Sequence, residues 1–446
     1  MAGTTAASGR LAGSVVKLRY REMKIAFVAQ PFERMVPPVR TGSLALWIYY
    51  MAQQLVARGH GATIVGNNGS RLRSKSVEQD GVRYTLTPTL LDAQVNRIGR
   101  RLGRALGRDS SGGSGYVYAD WHHAPFGYFA AGVAAAEHAD VVHVMNYSQF
   151  VPTIRRRHPA AVIALHMQCE WLTQFPREVI EPRLRQADVI IGCSQYITDL
   201  IAAEFPEFSA RCVTVPNSAD HIPEDRTARP AGPKVLFVGR LSPEKGVHDL
   251  ITAFRGVLAR VPDATLHLVG APGSAPLEYL VGPSKDPHVQ ALRVFYDAAD
   301  RRIEKDFYLT ALEELAGPEL GRRIVFEGYA DHHTIQAHYG NAAVLVNPSL
   351  SESFGITVVE AMMMKVPVIA TRVGGMKHTV VPGETGFLVE PGNPSALGQA
   401  IEAVLTDREL ASRMGAAGRA RALEEFSWGG SAERLTEAYA QAVARR

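Results

Sequence analysis

The sequence predicts an α/β protein made of two Rossmann-like, doubly wound domains. Short runs that are almost wholly apolar alternate with segments of helical periodicity along most of the chain. Such runs are typical of parallel strands that are buried on both faces. The chain has 446 residues, which is too long for one hydrophobic core and favours two large domains. A proline-rich stretch without periodicity, residues 218–233, is the predicted linker between them.

The first domain is predicted over residues 23–217. The polar and basic leader before it, residues 1–22, is too weakly apolar for a signal peptide, and we expect it to be disordered. An apolar strand over residues 24–29, a proline-rich loop, a helix over residues 44–58 and a second strand form a right-handed βαβ unit. The strands that follow this first one are predicted at residues 62–66, 82–86, 140–143, 161–165, 188–192 and 212–215.

The second domain is predicted over residues 234–425 and repeats the alternation of strand and helix. Its long connection, residues 271–318, is expected to contain a loop and one extended helix over residues 289–315. A final helix over residues 431–444 is predicted within the segment 426–446. The strands of this domain are predicted at residues 235–238, 265–269, 324–327, 344–346, 366–370 and 387–389.

The composition limits the classes of function that the protein can have. The hydrophobic share of 46% and the charged share of 21% are those of an ordinary globular protein, and the net charge of +4 gives no reason to expect a nucleic-acid partner. The three cysteines have neither metal-ligand spacing nor an even number, which favours a reducing compartment. No run reaches 18 apolar residues, so the sequence predicts a cytoplasmic protein without a membrane span.

Residues 96–108 have two competing interpretations. Arginines follow one another on one helical face and apolar residues on the adjacent face, which is the pattern of a basic helix that lies on an anionic membrane. Gly99, Gly103 and Gly107 each cost about 1 kcal/mol in a helix, which favours a solvated loop instead. The loop is the expected state, and peripheral membrane contact is the alternative.

Two glutamates bracket a predicted strand-to-helix turn in the second domain. Glu352 precedes Ser353-Phe354-Gly355, and Glu360 lies about one turn inside the helix that follows. The free N–H groups and the dipole of a helix N-terminus bind anions. A phosphate site between two carboxylates suits a nucleotide sugar, which carries a diphosphate and two sets of hydroxyls. The alternative is that Glu352 neighbours a helix cap and that Glu360 is a solvated helix residue.

Two cations follow the first strand of the second domain. Arg240 comes directly after Gly239, and Lys245 follows in Glu244-Lys245-Gly246. A nucleoside diphosphate leaving group gains negative charge as the sugar bond breaks, and fixed cations stabilise that charge most in the transition state. The alternative is a pair of surface cations, which contribute little to stability.

The order of these motifs resembles that of the retaining family-4 glycosyltransferases, also called glycosyl transferases group 1, which have the GT-B fold. The resemblance is carried by the segments 237–241, 352–361, 367–371, 373–375 and 383–389. It implies two Rossmann-like domains that face a central cleft and a C-terminal helix that crosses back to the first domain. It further implies a hexosyltransferase that uses a nucleotide sugar as co-substrate, with neither a metal nor another cofactor. UDP-sugars are the favoured donors and GDP-sugars the second choice.

The resemblance also implies roles for individual residues. Arg240 and Lys245 would bind the diphosphate, Glu360 the ribose hydroxyls and Glu352 the hydroxyls of the donor sugar. His166, after an apolar strand, would lie near the reacting sugar, and the alternative is a core or capping histidine. The remaining donor-binding positions implied are Gly42, Gly239, Tyr329 beside the base, Ser353, Phe354, Gly355, Ile356 and Thr357.

The sequence departs from the family pattern in the first domain, where the loop has one glycine, Gly42, in place of two adjacent ones. His122-His123 and His332-His333 resemble metal pairs, but neighbouring histidines rarely share a metal, and we expect none there. His143, after the neighbouring strand, is a second histidine candidate. The rival functions are a phosphorylase, a nucleotide-sugar epimerase and a catalytically inactive GT-B binding subunit. Because no carboxylate is an evident nucleophile, front-face transfer to an acceptor hydroxyl is favoured over double displacement.

Overall fold

The computed structural model describes residues 22–39, 42–69, 72–105, 114–219, 232–273, 275–296, 307–331 and 334–446. These residues group into two compact α/β units, so the predicted fold class is confirmed. The first unit comprises residues 22–105, Gly115–Pro216 and the C-terminal segment Trp428–Arg446, and the second comprises Asn217–Ser427. Residues 1–21 of the predicted disordered leader, Thr41, most of the predicted linker, residues 106–108 and His332-His333 lie outside the described residues.

In the described part of the first unit, eight strands form one sheet in the order β3-β4-β2-β1-β5-β6-β7-β8. Neighbouring strands are parallel except β3 and β4, which are antiparallel. The strands are β1 (Lys24–Val28), β2 (Gly61–Asn67), β3 (Lys75–Gln79), β4 (Val82–Thr87), β5 (Val141–Met145), β6 (Val162–Met167), β7 (Val189–Gly192) and β8 (Cys212–Thr214).

Helices cover both faces of this sheet, which explains why β5, β6 and β7 are buried along their whole length. The last helix of the chain belongs to this unit: Leu435 and Tyr439 lie in the same core as Phe27 and Trp47. The helices are α1 (Ser43–Val56), α2 (Leu90–Ala105), α3 (Ala124–Ala136), α4 (Val151–Arg157), α5 (Trp171–Gln174), α6 (Arg177–Leu184), α7 (Gln195–Glu204) and, at the end of the chain, α16 (Trp428–Ala444).

The second unit contains a six-stranded, fully parallel sheet in the order β11-β10-β9-β12-β13-β14 among its described residues. This order reverses between β9 and β12, and such a reversal leaves a crevice at the carboxyl ends of the two strands. The strands are β9 (Lys234–Val238), β10 (Thr265–Val269), β11 (Ile324–Gly328), β12 (Val344–Asn347), β13 (Val368–Thr371) and β14 (Gly386–Val389).

The core of the second unit lies between this sheet and its helices, with Phe254 of helix α8 and Ile401 of helix α14 fully buried. The helices are α8 (Val247–Val257), α9 (Pro287–Ala291), α10 (Phe307–Ala316), α11 (Ile335–Gly340), α12 (Ile356–Met363), α13 (Met376–Thr379), α14 (Pro394–Thr406) and α15 (Arg408–Glu425).

The structure corrects two expectations for connecting segments. The extended helix over residues 289–315 is wrong, because α9 ends at Ala291 and a 3₁₀ turn, Leu292–Phe295, follows it. A loop over residues 96–105 is also wrong, because α2 continues through them. Among the described residues, no helix is long and apolar enough to span a membrane.

Candidate active site

The predicted cations and the predicted glutamate follow two strands that are neighbours in the second sheet. Val344 and Leu345 of β12 pair in parallel with Val235 and Leu236 of β9. The turn after β9 and the loop after β12 therefore leave the same edge of the sheet, at the point where the strand order reverses. Ligands of open parallel sheets bind at such points.

Close backbone packing holds this turn and this loop together. The N–H of Leu350 donates to the carbonyl of Glu244 over 2.8 Å. Gly246, with φ of 65°, lies so close to the loop that a Cβ there would be 2.1 Å from the carbonyl oxygen of Pro348. A left-handed backbone and the lack of space both require glycine at this position. The contact places Lys245 directly beside the loop of Glu352.

Lys245 and Glu352 form an ion pair, with 2.8 Å between Nζ and Oε2. Both side chains are largely buried, with 22% and 17% of their surface exposed. Burial raises the pKa of the Glu352 carboxyl, but the charge and hydrogen bond of Lys245 lower it, as do hydrogen bonds from the Phe354 backbone and the Asn347 side chain. The net pKa lies below the usual value of 4.5, so Glu352 is ionised at neutral pH.

Arg240 is held by a buried carboxylate that precedes Lys245 in the chain. Its Nη2 donates to Oε1 of Glu244 over 2.9 Å, and the Ser242 hydroxyl donates to the same oxygen over 2.6 Å. Glu244 is only 2% exposed, while the Arg240 side chain is 53% exposed. The guanidinium is therefore fixed at one edge and open to solvent elsewhere.

The loop after β12 ends in the N-terminus of helix α12. Gly355 is the N-cap residue, with φ of 90° and no side-chain cap, so the first N–H groups of Ile356 and Thr357 have no partner within the helix. The ring of Phe354 is buried edge-on against Phe426, with 5.5 Å between ring centroids. Phe354 can therefore offer a ligand only its backbone. The side chain of Thr357 accepts a weak hydrogen bond from Asn347 over 3.5 Å.

Glu360 lies in the second turn of α12 and binds a fully buried tyrosine. The Tyr339 hydroxyl donates to Oε2 of Glu360 over 2.5 Å. Burial raises the pKa of the Glu360 carboxyl to about 7, although the hydrogen bond from Tyr339 opposes that shift. A buried carboxyl that is costly to ionise is stabilised in its ionised form when the hydroxyls of a ligand donate hydrogen bonds to it.

One exposed aromatic residue follows strand β11. Tyr329 comes directly after Gly328, and 62% of its surface is exposed. The structure brings Arg240, Lys245 and Glu352 together at the edge between β9 and β12. It places Glu360 on the helix that follows and Tyr329 after another strand of the same sheet.

Two predicted residues belong to the first unit. Gly42 has φ of 87° and is the N-cap of helix α1. His166 does not end its strand as expected, because β6 continues to Met167, and its ring is fully buried. Burial lowers the pKa of His166 to about 3, so the ring is neutral.

A chain of hydrogen bonds connects His166 to the last helix of the chain. The Nδ1 atom of His166 lies 3.2 Å from Nε2 of His143, and Nδ1 of His143 lies 2.6 Å from the Tyr439 hydroxyl. The amide nitrogen of Gln168 lies 3.2 Å from Nε2 of His166. Because an amide nitrogen only donates, His166 carries its proton on Nδ1 and donates to His143, which in turn donates to Tyr439.

Within the described ranges, no group of three or more histidine, cysteine or carboxylate side chains could hold a metal ion. The pair His122-His123 has a different environment from a metal site. The His122 ring hydrogen-bonds the Val117 carbonyl, and the His123 ring pairs with Asp92.

Comparison with known families identifies the chain. Residues 44–221 match the family described as Glycosyltransferase Family 4, and residues 219–421 match Glycosyl transferases group 1. The chain is a family-4 glycosyltransferase. It therefore transfers a sugar from a nucleotide-sugar donor, as the motif resemblance implied.

Two curated relatives illustrate the range of this glycosyltransferase family. A glycogen synthase of Mycobacterium tuberculosis (strain ATCC 25618 / H37Rv) is 27% identical over 425 residues, which cover 88% of this chain and 89% of that protein. A D-inositol 3-phosphate glycosyltransferase of Corynebacterium glutamicum (strain R) is 35% identical over 212 residues, covering 47% of this chain and 44% of that protein.

Solved structures confirm the GT-B fold of the glycosyltransferase. The sucrose-phosphate synthase of Thermosynechococcus elongatus has a TM-score of 0.68 at 21% identity, covering 95% of this chain and all of that one. Anabaena HepE, solved with UDP and glucose, has a TM-score of 0.63 at 17% identity, covering 93% of this chain and 99% of that one.

Three residues around the site carried no predicted role. Glu244 lies in the motif Glu244-Lys245-Gly246, but the sequence did not indicate that it would be buried beside Arg240. Asn347 is the last residue of β12 and hydrogen-bonds Glu352, and a polar residue at a strand end was a usable signal. Tyr339, on another helix than Glu360, had no sequence signal at all.

Proposed function

We propose that this glycosyltransferase uses a UDP-sugar and retains the configuration of the anomeric carbon. The observation that carries the proposal is the arrangement at the reversal between β9 and β12. The segments that leave this edge of the sheet contain three features that a donor can use. These are a half-exposed arginine, a lysine paired with a carboxylate, and a helix N-terminus whose first N–H groups have no partner within the helix. This arrangement offers positive charge to a diphosphate and an acceptor to sugar hydroxyls.

In this proposal, Arg240, Lys245 and the N–H groups of Gly355 to Thr357 neutralise the diphosphate, so no metal ion is required. Charge on the leaving oxygen grows as the glycosidic bond stretches, and preorganised donors stabilise that state most. Glu352, kept ionised by Lys245, accepts hydrogen bonds from the donor sugar. Within the ion pair, Lys245 thus contacts the diphosphate of the donor and Glu352 contacts its sugar.

Glu360 accepts hydrogen bonds from the ribose hydroxyls, and Tyr339 holds the Glu360 carboxyl in position. Tyr329 borders the base, where an exposed aromatic ring can stack. UDP is the favoured nucleotide because Anabaena HepE, which has the same fold, was solved with UDP and glucose and also with UDP-glucose. GDP is the second choice.

Retention follows from how the reaction would run without an enzyme nucleophile. The acceptor hydroxyl attacks from the face that the diphosphate leaves, and its proton passes to a departing phosphate oxygen. Gly42 offers backbone N–H groups near the N-terminus of α1, and His166 contributes a neutral ring in the first unit. We propose that both residues take part because the family resemblance implies these roles.

A thermal-shift screen against UDP, GDP, ADP and dTDP tests the donor. A ligand at 100 times its dissociation constant adds about 2.7 kcal/mol to the free energy of unfolding. We expect the largest rise with UDP, and a rise with GDP but not UDP would overturn the preference. Proton NMR of the product's anomeric signal tests retention with an α-linked UDP-sugar. Binding of a nucleotide without sugar-dependent nucleotide release would instead indicate an inactive binding subunit.

A further inference from the structure

Helix α2 packs against the rest of the first unit with its polar side. Asp92 and Asn96 are 7% and 8% exposed, although a helix normally buries its apolar residues. Asp92 pairs with the His123 ring and accepts the N–H of Phe126 over 3.3 Å. The side-chain oxygen of Asn96 accepts the N–H of His123 over 3.0 Å. Polar hydrogen bonds therefore fix the orientation of this helix.

Packing on the same side of the helix explains why this segment is helical although it contains glycines. A Cβ at Gly99 would lie 2.4 Å from the ring of Trp121. The glycine thus permits a close approach of helix and indole, and this packing offsets the helix propensity that glycine lacks. Arg100 reinforces the contact, with its guanidinium 5.8 Å from the Tyr116 ring centroid.

The apolar side of the helix is left uncovered. Leu91, Ile98 and Leu102 are 65%, 57% and 56% exposed. Their spacing of seven and four residues places them on one face. These three residues form an exposed apolar stripe, here called the α2 stripe. Its exposure is a consequence of the polar docking, which takes place on the adjacent side of the helix.

Positive charge borders the α2 stripe. Arg97 and Arg101 are both exposed, and at helical spacing they lie on the solvent side next to Ile98. Asp92 is the helix's acidic residue, and it is buried. Within the part of the chain that the structure describes, neither Arg97 nor Arg101 forms an ion pair. The helix thus presents an apolar stripe and free cations side by side.

We propose that the α2 stripe docks on an anionic lipid surface. A bilayer places anionic headgroups and acyl chains in adjacent layers, so Leu91, Ile98 and Leu102 enter the acyl boundary while Arg97 and Arg101 contact phosphates. A second copy of the chain is a poorer partner, because self-pairing of the stripes would bring like-charged arginines together. The lipid surface matches both features along residues 91–102 of the helix.

Vesicle co-sedimentation of the full chain tests the proposal. The vesicles contain either phosphatidylcholine alone or phosphatidylcholine with about one-third phosphatidylglycerol. One variant, Arg97→Gln/Arg101→Gln, removes the charge, and a second, Leu91→Ser/Ile98→Ser/Leu102→Ser, removes the stripe. Matched controls are Arg408→Gln/Arg413→Gln and Leu423→Ser, which change exposed residues of the same types on α15. Circular dichroism checks that each variant is folded.

We expect the wild type to bind only the anionic vesicles, and more weakly as salt rises. Each arginine near such a surface contributes about 1 kcal/mol, so the double arginine variant should bind roughly 30-fold more weakly. The serine variant should lose binding by at least about tenfold. Absence of wild-type binding, or equal losses in the α15 controls, would overturn the proposal. A concentration-dependent dimer in sedimentation velocity that the serine variant abolishes would show that the stripe binds a second copy instead.

Discussion

Lys245 and Glu352, which are 107 residues apart in the chain, form an ion pair with 2.8 Å between Nζ and Oε2. The pair joins the turn after β9 to the loop after β12, at the reversal of strand order in the second sheet. Removing one partner of a largely buried ion pair leaves the charge of the other partner buried and uncompensated. The pair therefore couples the proposed diphosphate site to the proposed sugar site.

The first prediction concerns the two cations. Arg240→Ala or Lys245→Ala should lower kcat about 10²–10³-fold, or roughly 3–4 kcal/mol, because the donor acts mainly in the transition state. The Michaelis constant for the donor should change far less. Arg240→Lys should restore only part of the activity, since a point charge lacks the forked geometry of a guanidinium. Steady-state kinetics on folded protein checks this, with Arg408→Ala as the control, and near-wild-type kcat in both alanine variants would remove the leaving-group role.

The second prediction separates the two glutamates. Glu360→Ala should weaken nucleotide binding because it removes the proposed ribose acceptor, while Glu352→Ala should act mostly on turnover. Calorimetric titration with UDP measures the first effect and kcat the second. Tyr339→Phe keeps the Glu360 carboxyl but removes its hydrogen bond, so it should give an intermediate loss of affinity. Equal losses of UDP affinity in both glutamate variants would show that the division is wrong.

The third prediction is a pH dependence of donor binding. The pKa of Glu360 is raised to about 7 by burial, and ribose hydroxyls that donate to the carboxyl favour its ionised form. Affinity for a UDP-sugar should therefore fall as pH drops below about 7, by up to about tenfold per pH unit. A UDP-sugar is the right probe, because free UDP carries a terminal phosphate that itself titrates at about pH 6. Glu360→Gln should bind with little pH dependence between 5 and 8.

The same raised pKa has a consequence for stability with the opposite sign. An acid whose pKa is higher in the folded state than the usual 4.5 binds more protons when folded, so the free energy of unfolding decreases as pH rises from about 4.5 to 7. Glu360→Gln should thus be more stable than wild type at pH 8 and not at pH 4. A variant that is equally stabilised at both values would indicate a cause other than ionisation.

The fourth prediction tests the backbone contact that positions Lys245. Gly246→Ala should lower the free energy of unfolding by about 2–5 kcal/mol, because the left-handed backbone and the carbonyl of Pro348 both oppose a side chain. Gly256→Ala is the matched control, since Gly256 lies inside α8 with nothing within 4 Å of an added Cβ. That control should gain about 0.5–1 kcal/mol. Chemical denaturation measures both, and a neutral Gly246→Ala would contradict the close packing.

The fold could be predicted because its strands are short, apolar runs separated by helical patterns. The antiparallel edge strand β3 was missed since its residues, Lys75–Gln79, are mostly polar and exposed, as edge strands often are. Helix α2 was missed for another reason. Its glycines argued against a helix, and the indole packing that compensates for Gly99 depends on a residue distant in the chain.

The candidate site was predictable where chemistry and position coincide in short motifs. Arg240, Lys245 and Glu352 follow strands, and the parallel pairing of β9 with β12 brings them to one edge. Partners supplied by other elements, such as Tyr339 for Glu360, could not be inferred because no local pattern connects them. The burial of His166 agrees with the core histidine that the sequence left as the alternative, although its strand continues past the expected end.

The most direct test of the central claim is calorimetric titration of UDP, at pH 8, onto the wild type and onto Lys245→Ala and Glu360→Ala. We expect one binding site per chain in the wild type. Each variant should lose affinity, with the larger loss in Glu360→Ala, while Arg408→Ala should bind as the wild type does. Unchanged affinity in both variants, or no binding of UDP, GDP, ADP or dTDP to the wild type, would contradict the assignment of the donor site to the edge between β9 and β12.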